Sequence, residues 1–458
     1  MTIDKLPDVA LLRKFDFYMD EEHIQGWHTL VHVCREWRTV VFGSPRRLNL
    51  RLRWTNRIRV GEMLGVWPLL LPIAVQSDLE FSSANNVIAA LEHNDRICEL
   101  GLFDISSRQL EMVLTAIHRP FPALTCLELA CLELRVEDEI DETALIDPAS
   151  FLGGSAPCLQ KLLLNCIPFP GLPTLLMSAT HLVHLSLRRI PDSGYISPEA
   201  MVTCLSVLTR LKSLEIGLKS PPSHPDWQSR RPPPHTRTLL PILTLLRFFG
   251  VSEYLEDFVA RIDAPLLDKL HITFFHQPIF NTAQLTQFIS RTPKFETHDE
   301  AHVGFSDWRV SITIPQASGG RLYFGISYGE SYWKPLPLAQ VCSSFFPRAL
   351  VSAVERLYIL EYGLSRFSWR TSQDDRWLEF LQPFTAVKDL YISQEFVPRI
   401  APTLQELTKE RATEVLPALQ TLSLEEPHLS EPVLETIRQF VSARQLAGHT
   451  ITVFLWER

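Results

Sequence analysis

One spacing recurs along most of this chain: an apolar residue, a second one three positions on, and a third two positions after that. It occurs at Ile97/Leu100/Leu102, Leu124/Leu127/Leu129, Leu159/Leu162/Leu164, Leu182/Leu185/Leu187 and Leu211/Leu214/Ile216. It continues at Leu243/Leu246/Phe248, Leu267/Leu270/Ile272, Val354/Leu357/Ile359, Val387/Leu390/Ile392 and Leu419/Leu422/Leu424. In each copy the last two anchors are two apart, so both point to one side of a strand and the residue between them points to the other. The stretches between copies, such as Ser107 to His118 and Val202 to Leu208, place apolar residues at helical spacing. Successive copies begin 23 to 35 residues apart, except for the long step from Leu267 to Val354. A unit of that size cannot bury its apolar side alone and must stack on its neighbours.

A strand and a return helix at this period are the signature of a leucine-rich repeat solenoid. The expected fold is therefore α/β, with a parallel sheet on the concave side over residues 51–458. The length of 458 residues then counts repeats, not separate domains. Composition agrees: Leu is about 15% of the chain, and 33 Pro against 18 Gly suggest short elements that stop and restart. Two segments interrupt the array. Residues 220–236 hold six Pro and cannot form a helix or a central strand. Residues from about 298 to 330 alternate in two runs, Trp308 to Ile314 and Arg321 to Ser327, joined at Ala317-Ser-Gly-Gly320, which predicts a β-hairpin inserted on the outer side of the solenoid.

A net charge of −8 argues against a chain built mainly to hold nucleic acid, whose binding rests on cations neutralising phosphates. The eight Cys make no C-x-x-C pair and mostly sit in apolar runs, as free thiols do. The start of the chain is charged, without the long apolar stretch of a signal peptide, and no run of 18 apolar residues offers a membrane span. The expectation is a chain of the cytoplasm or nucleus with neither nucleic acid nor membrane as partner.

The first 50 residues have a different period. Leu11, Leu12, Phe15 and Tyr18 follow Leu6-Pro7-Asp8 at helical spacing, with Asp8 able to cap the start. Trp27, Leu30, Val31, Cys34, Trp37 and Val41 then read as one face of a second helix, stopping near Gly43-Ser44-Pro45. Two such helices cannot bury a core of their own, so the first repeats or a partner must cover them.

LPDVALLRKFDFY followed by LVHVCREWRTVVFGSPRRLNL resembles the F-box of ubiquitin ligase receptors. The match covers residues 1–50, and the whole chain is similar to the F-box plus leucine-rich repeat proteins abundant in fungi. The resemblance implies that Leu6, Pro7, Leu11, Leu12, Phe15, Val33, Cys34 and Trp37 dock on the Skp adaptor, and through it on a cullin. It also implies that the solenoid holds the protein to be ubiquitinated. The family usually has an acidic residue at Val9 and an aliphatic one at Lys14; a Lys on that face must carry its ammonium to water.

The residues between strand anchors bear on the client. Arg247, His271, Tyr358 and Tyr391 are of the types that anchor protein interfaces, and they form the expected client-binding set. Other motifs read as coincidence. Gly325-Ile-Ser327-Tyr-Gly329 matches the nucleophile elbow, yet the residues after it, Glu330 to Pro337, cannot make the helix which that geometry needs. His428 and His449 offer no evident triad, and His181-x-x-His184 precedes a strand, which would send its rings to different sides. Glu137 to Glu142 read as a solvated loop, and the Arg residues between 46 and 59 as exposed strand residues. No catalytic residue, metal or cofactor is expected. The expected function is a non-catalytic substrate receptor of a Skp-cullin-F-box ligase; the alternative is an interaction scaffold with a degenerate F-box.

Overall fold

The computed structural model describes residues 7–18, 26–44, 50–54, 71–79, 84–131, 151–168, 171–220, 236–275, 280, 282–295, 299–306, 309–315, 319–327, 348–361, 377–407, 414–425 and 430–456. The Pro-rich stretch 221–235, the acidic run 137–142, Leu6 and His428 lie outside these. The chain is α/β with a mostly parallel sheet, and it divides into two compact units, Met1–Leu187 and Arg188–Arg458.

In the first unit three helices lead: α1 (Asp8–Tyr18), α2 (Gly26–Val33) and α3 (Arg35–Gly43). The second and third were expected as one helix. Cys34 breaks it, because its backbone is extended and its sulfur accepts the Trp37 N–H at 3.4 Å, capping α3. Arg38 Nε donates to the Val31 carbonyl at 3.0 Å and ties the two helices together. Asp8, expected as a cap, is instead the first helical residue, and the Pro7 carbonyl accepts the N–H groups of Ala10 and Leu11.

The strands of this unit follow in chain order, β1 (Leu52–Trp54), β2 (Ile73–Asp78), β3 (Ile97–Ile105), β4 (Cys126–Cys131), β5 (Lys161–Asn165) and β6 (His184–Ile190), in which the unit ends. Neighbours from β1 to β5 are parallel, with Leu100 opposite Leu127 and Leu127 opposite Leu162. The return from β3 to β4 is a short helix with a local start signal. Ser106 opens Ser107–Ala116 with a capping box: its hydroxyl accepts the Gln109 N–H, and the Gln109 side chain accepts the Ser106 N–H at 2.9 Å.

The second unit holds β7 (Ser213–Leu218), β8 (Thr238–Leu239), β9 (Leu245–Gly250), β10 (Ile262–Asp263), β11 (Lys269–Phe275), β12 (Glu300–Ser306), β13 (Arg309–Pro315), β14 (Arg321–Ser327), β15 (Arg356–Glu361), β16 (Asp389–Ile392), β17 (Thr421–Glu425) and β18 (Thr452–Trp456). β8 and β10 form a separate parallel pair. The others are ordered β7-β9-β11-β14-β13-β12-β15-β16-β17-β18. Helices such as Ser252–Ala260, Ala283–Ser290 and Val397–Glu406 lie between strands in the chain.

All ten anchor triplets are buried, none of their residues more than 4% exposed. In this unit Leu214, Leu246 and Leu270 lie directly opposite one another, as do Leu357, Leu390 and Leu422. Burying each of these side chains is worth roughly 1.5–3 kcal/mol, so the spacing that defines the repeat also builds the core.

The long step between copies has a different outcome from the one expected. Residues 300–327 form three antiparallel strands, not two, and they lie inside the sheet, not on its outer side: β14 pairs with β11, and β12 pairs with β15, both parallel. The reason is the inward alternation. Ala301, Val303, Phe305, Val310, Ile312, Ile314, Leu322, Phe324 and Ile326 are all at most 1% exposed, and on the outer side they and the edges of β11 and β15 would face water.

Candidate functional site

The N-terminal helices turn three of the eight expected adaptor residues, Leu11, Leu12 and Phe15, inward. Leu11 and Phe15 are 2% exposed and Leu12 is 8%, while the Phe15 and Trp37 rings meet edge to face with centroids 4.8 Å apart. Trp27 is fully buried and its indole N–H donates to the Arg51 carbonyl, which docks α2 on the chain leading into β1. The surface instead presents Pro7, Val9, Lys14 and Val33, with Val9 60% and Val33 54% exposed. Lys14 therefore keeps its ammonium in water. Cys34 is part-buried as the cap of α3, and the Trp37 indole N–H has no hydrogen-bond partner among the described residues.

In the second unit the four expected client residues fall on one cross-strand row. From β7 to β18 it reads Glu215, Arg247, His271, Tyr323, Thr313, His302, Tyr358, Tyr391, Ser423 and Phe454, each opposite the next. Register forces this in the parallel and the antiparallel pairs alike, because opposed residues share a face and the residue between two inward anchors must face the other way. The row therefore lies on the face opposite the core.

Its two halves differ. Around β12 to β16 it is a ring ladder: His302 stacks on Tyr358 at 4.5 Å, and Tyr358 on Tyr391 at 4.2 Å. Charges here are matched, with Glu300 accepting from His302 at 2.5 Å and Arg356 paired to Asp299 and Glu300 at 2.8 and 3.3 Å. Burial, reinforced by Tyr391 and Glu300, pushes the Tyr358 phenol up to about 12. Around β9, β11 and β14 the row and its neighbours are cationic. Arg247, Lys269 and Arg321 are exposed and surround His271, whose pKa is held below the usual histidine value by burial first and by these three cations next, with Glu215 opposing them. The buried Nε2 of His271 has no hydrogen-bond partner among the described residues, and its ring lies 5.6 Å from that of Tyr323.

Tyr323, His302, Lys269 and Arg321 were absent from the expected set. Three of them lie on inserted strands, whose alternation was legible but whose position in the sheet was not; Lys269 sits at the start of β11, before the residue between the anchors.

The remaining motifs are placed as follows. Ser327 ends β14, opposite Phe275 and Arg309, and the residues after it are outside those described. His181 and His184 are exposed, and His449 follows the last long helix. Among the described residues no group of three His, Cys, Asp or Glu is arranged to hold a metal ion, and no helix is long and apolar enough to cross a membrane. No model of a known protein family matches this chain, and no curated protein matches it.

Proposed function

We propose that this chain is a non-catalytic substrate receptor of a Skp-cullin-F-box ubiquitin ligase, an F-box helical module followed by leucine-rich repeats. The observation that carries the reading is the single row of Arg247, His271, Tyr358 and Tyr391 across a sheet built from stacked strand-and-return units. Aromatic and Arg side chains aligned on a face that the core does not use suit protein capture. A short helical module with two exposed Val side chains, Val9 and Val33, precedes those units and suits an adaptor. The mechanism is proximity: the adaptor ties the chain to a cullin, and the client held on the sheet meets activated ubiquitin at high effective concentration. Such a receptor needs no cofactor and works in the cytoplasm or nucleus.

One observation favours the alternative scaffold with a degenerate F-box. Leu11, Leu12 and Phe15 are covered by their own chain, as they would be if the three helices only capped the repeats. A pull-down on immobilised Skp adaptor separates the two readings. Capture of the intact chain, weakened about tenfold or more by Val9→Asp with Val33→Asp, supports the receptor. No capture, or capture indifferent both to that pair and to Leu11→Asp with Trp37→Ala, leaves the scaffold.

A further inference from the structure

Arg247, Lys269 and Arg321 come from three adjacent strands, β9, β11 and β14. Lys269 stands directly opposite Arg321, and Arg247 directly opposite His271. Like charges on opposed residues cost free energy in a sheet, and among the described residues no carboxylate is paired with any of the three. The nearest acid in the row, Glu215, is engaged by Arg188 at 2.9 Å. The contrast with the start of β12 and β15 is direct, since there Glu300 has His302 and Arg356 against it and Asp299 has Arg356. His271 adds a buried ring nitrogen without a hydrogen-bond partner in the middle of this group.

We infer that the cationic end of the sheet face binds an extended acidic peptide segment, whose carboxylates lie among Arg247, Lys269 and Arg321 and beside His271. This deepens the receptor reading and rests on it for the idea that the ligand is a client. The spread of the cations argues for several carboxylates and against one compact anion. Arg247 and Arg321 are two strands apart and offset by two residues, about 12 Å, and Lys269 and His271 are about 7 Å apart along β11. Same-side residues of an extended peptide recur at about that latter spacing, so alternate acidic side chains can reach successive cations. An incoming carboxylate would also accept a hydrogen bond from the His271 Nε2–H and favour the charged ring, reversing the effect of the three cations on it.

The test is fluorescence anisotropy with the full chain and three labelled peptides: alternating Asp and Ser, the same with Asn for Asp, and the same with phosphoserine for Asp. The Asp peptide should bind with a steep salt dependence. The Asn peptide, or the Arg247→Gln with Arg321→Gln variant shown folded by circular dichroism, should bind about tenfold more weakly or worse. In NMR the His271 ring resonance, assigned with His271→Gln, should titrate at higher pH once the Asp peptide is present. Equal binding of the Asn peptide, an indifferent Arg variant, or an unmoved His271 titration would each overturn the inference. Binding of the phosphoserine peptide more than about tenfold tighter than the Asp peptide would overturn the choice of carboxylates. Failure here is separable from failure of the receptor reading. Clients captured in cells that are lost with Tyr358→Ala and Tyr391→Ala but kept by the Arg variant would sink the acidic peptide and spare the receptor.

Discussion

Tyr358 and Tyr391 lie face to face on neighbouring parallel strands, ring centroids 4.2 Å apart and planes 8° from parallel. Parallel strands place these two side chains opposite each other, and the stack is the tightest ring contact of the row. Stacked pairs contribute about 0.5–1.5 kcal/mol beyond the area they bury. A double-mutant cycle with Tyr358→Ala and Tyr391→Ala, read by urea unfolding, should give a coupling energy in that range. A coupling near zero would mean that the rings are merely adjacent.

The anchors and the surface of α2 should respond very differently to truncation. Leu390 is fully buried between Leu357 and Leu422, so Leu390→Ala should cost about 2–5 kcal/mol. Val33→Ala, at an exposed position, should change stability by no more than about 0.5 kcal/mol. Denaturant midpoints of the two variants check this, and similar losses at both would contradict the burial of Leu390 or the exposure of Val33.

The repeats were legible because one strand parity is forced by burial: Leu100 and Leu102 face the core, so Gly101 does not. The same logic named Arg247, His271, Tyr358 and Tyr391 as sharing a face. It failed at Cys34, where the apolar spacing runs on through a break that a thiol cap stabilises. Spacing reports which face is apolar, not whether the backbone between two apolar residues stays helical. It also missed the route of residues 300–327, since alternation specifies a strand but not which edge the strand will pair with. The burial of Leu11 and Phe15 was open for a similar reason, as a short amphipathic helix does not say whether its own chain or a partner covers it.

The placement of β13 makes a distinct prediction about hydrogen exchange. It is hydrogen-bonded on both sides, to β12 and β14, and its Val310, Ile312 and Ile314 are buried. Its amides should therefore open only with the surrounding sheet, at rates matching those of β11 and β15. Exchange many-fold faster in β13 would instead describe a hairpin lying outside the sheet.

His271 should make stability fall with acidification. Its folded pKa is lowered, by burial first and then by Arg247, Arg321 and Lys269, from an unfolded value of about 6.5. As pH falls below that value, the unfolded chain takes up the proton before the folded chain does. The stability that the neutral ring confers is thus full above about pH 6.5 and lost as pH drops toward the folded pKa. Comparing urea unfolding at pH 7.5 and 5.5, the loss should be smaller in His271→Gln than in the unsubstituted chain. An equal loss in both would show that the ring is not held neutral by folding.

Thiol reactivity offers a last prediction, because burial separates the cysteines of the first unit. Burial pushes the Cys131 thiol up to about 12, with a further contribution from Cys166, and the Cys126 thiol up to about 11, with Glu128 adding to it. Only the thiolate attacks an alkylating reagent, so near pH 8 neither should react appreciably. Cys158 is exposed on the turn before β5, where the reagent reaches its sulfur directly. Iodoacetamide followed by peptide mass mapping should therefore modify Cys158 well before Cys126 or Cys131. Both should become reactive only when urea removes the surrounding strands. Early modification of Cys131 in the folded chain would mean that the end of β4 opens to solvent without unfolding of the sheet.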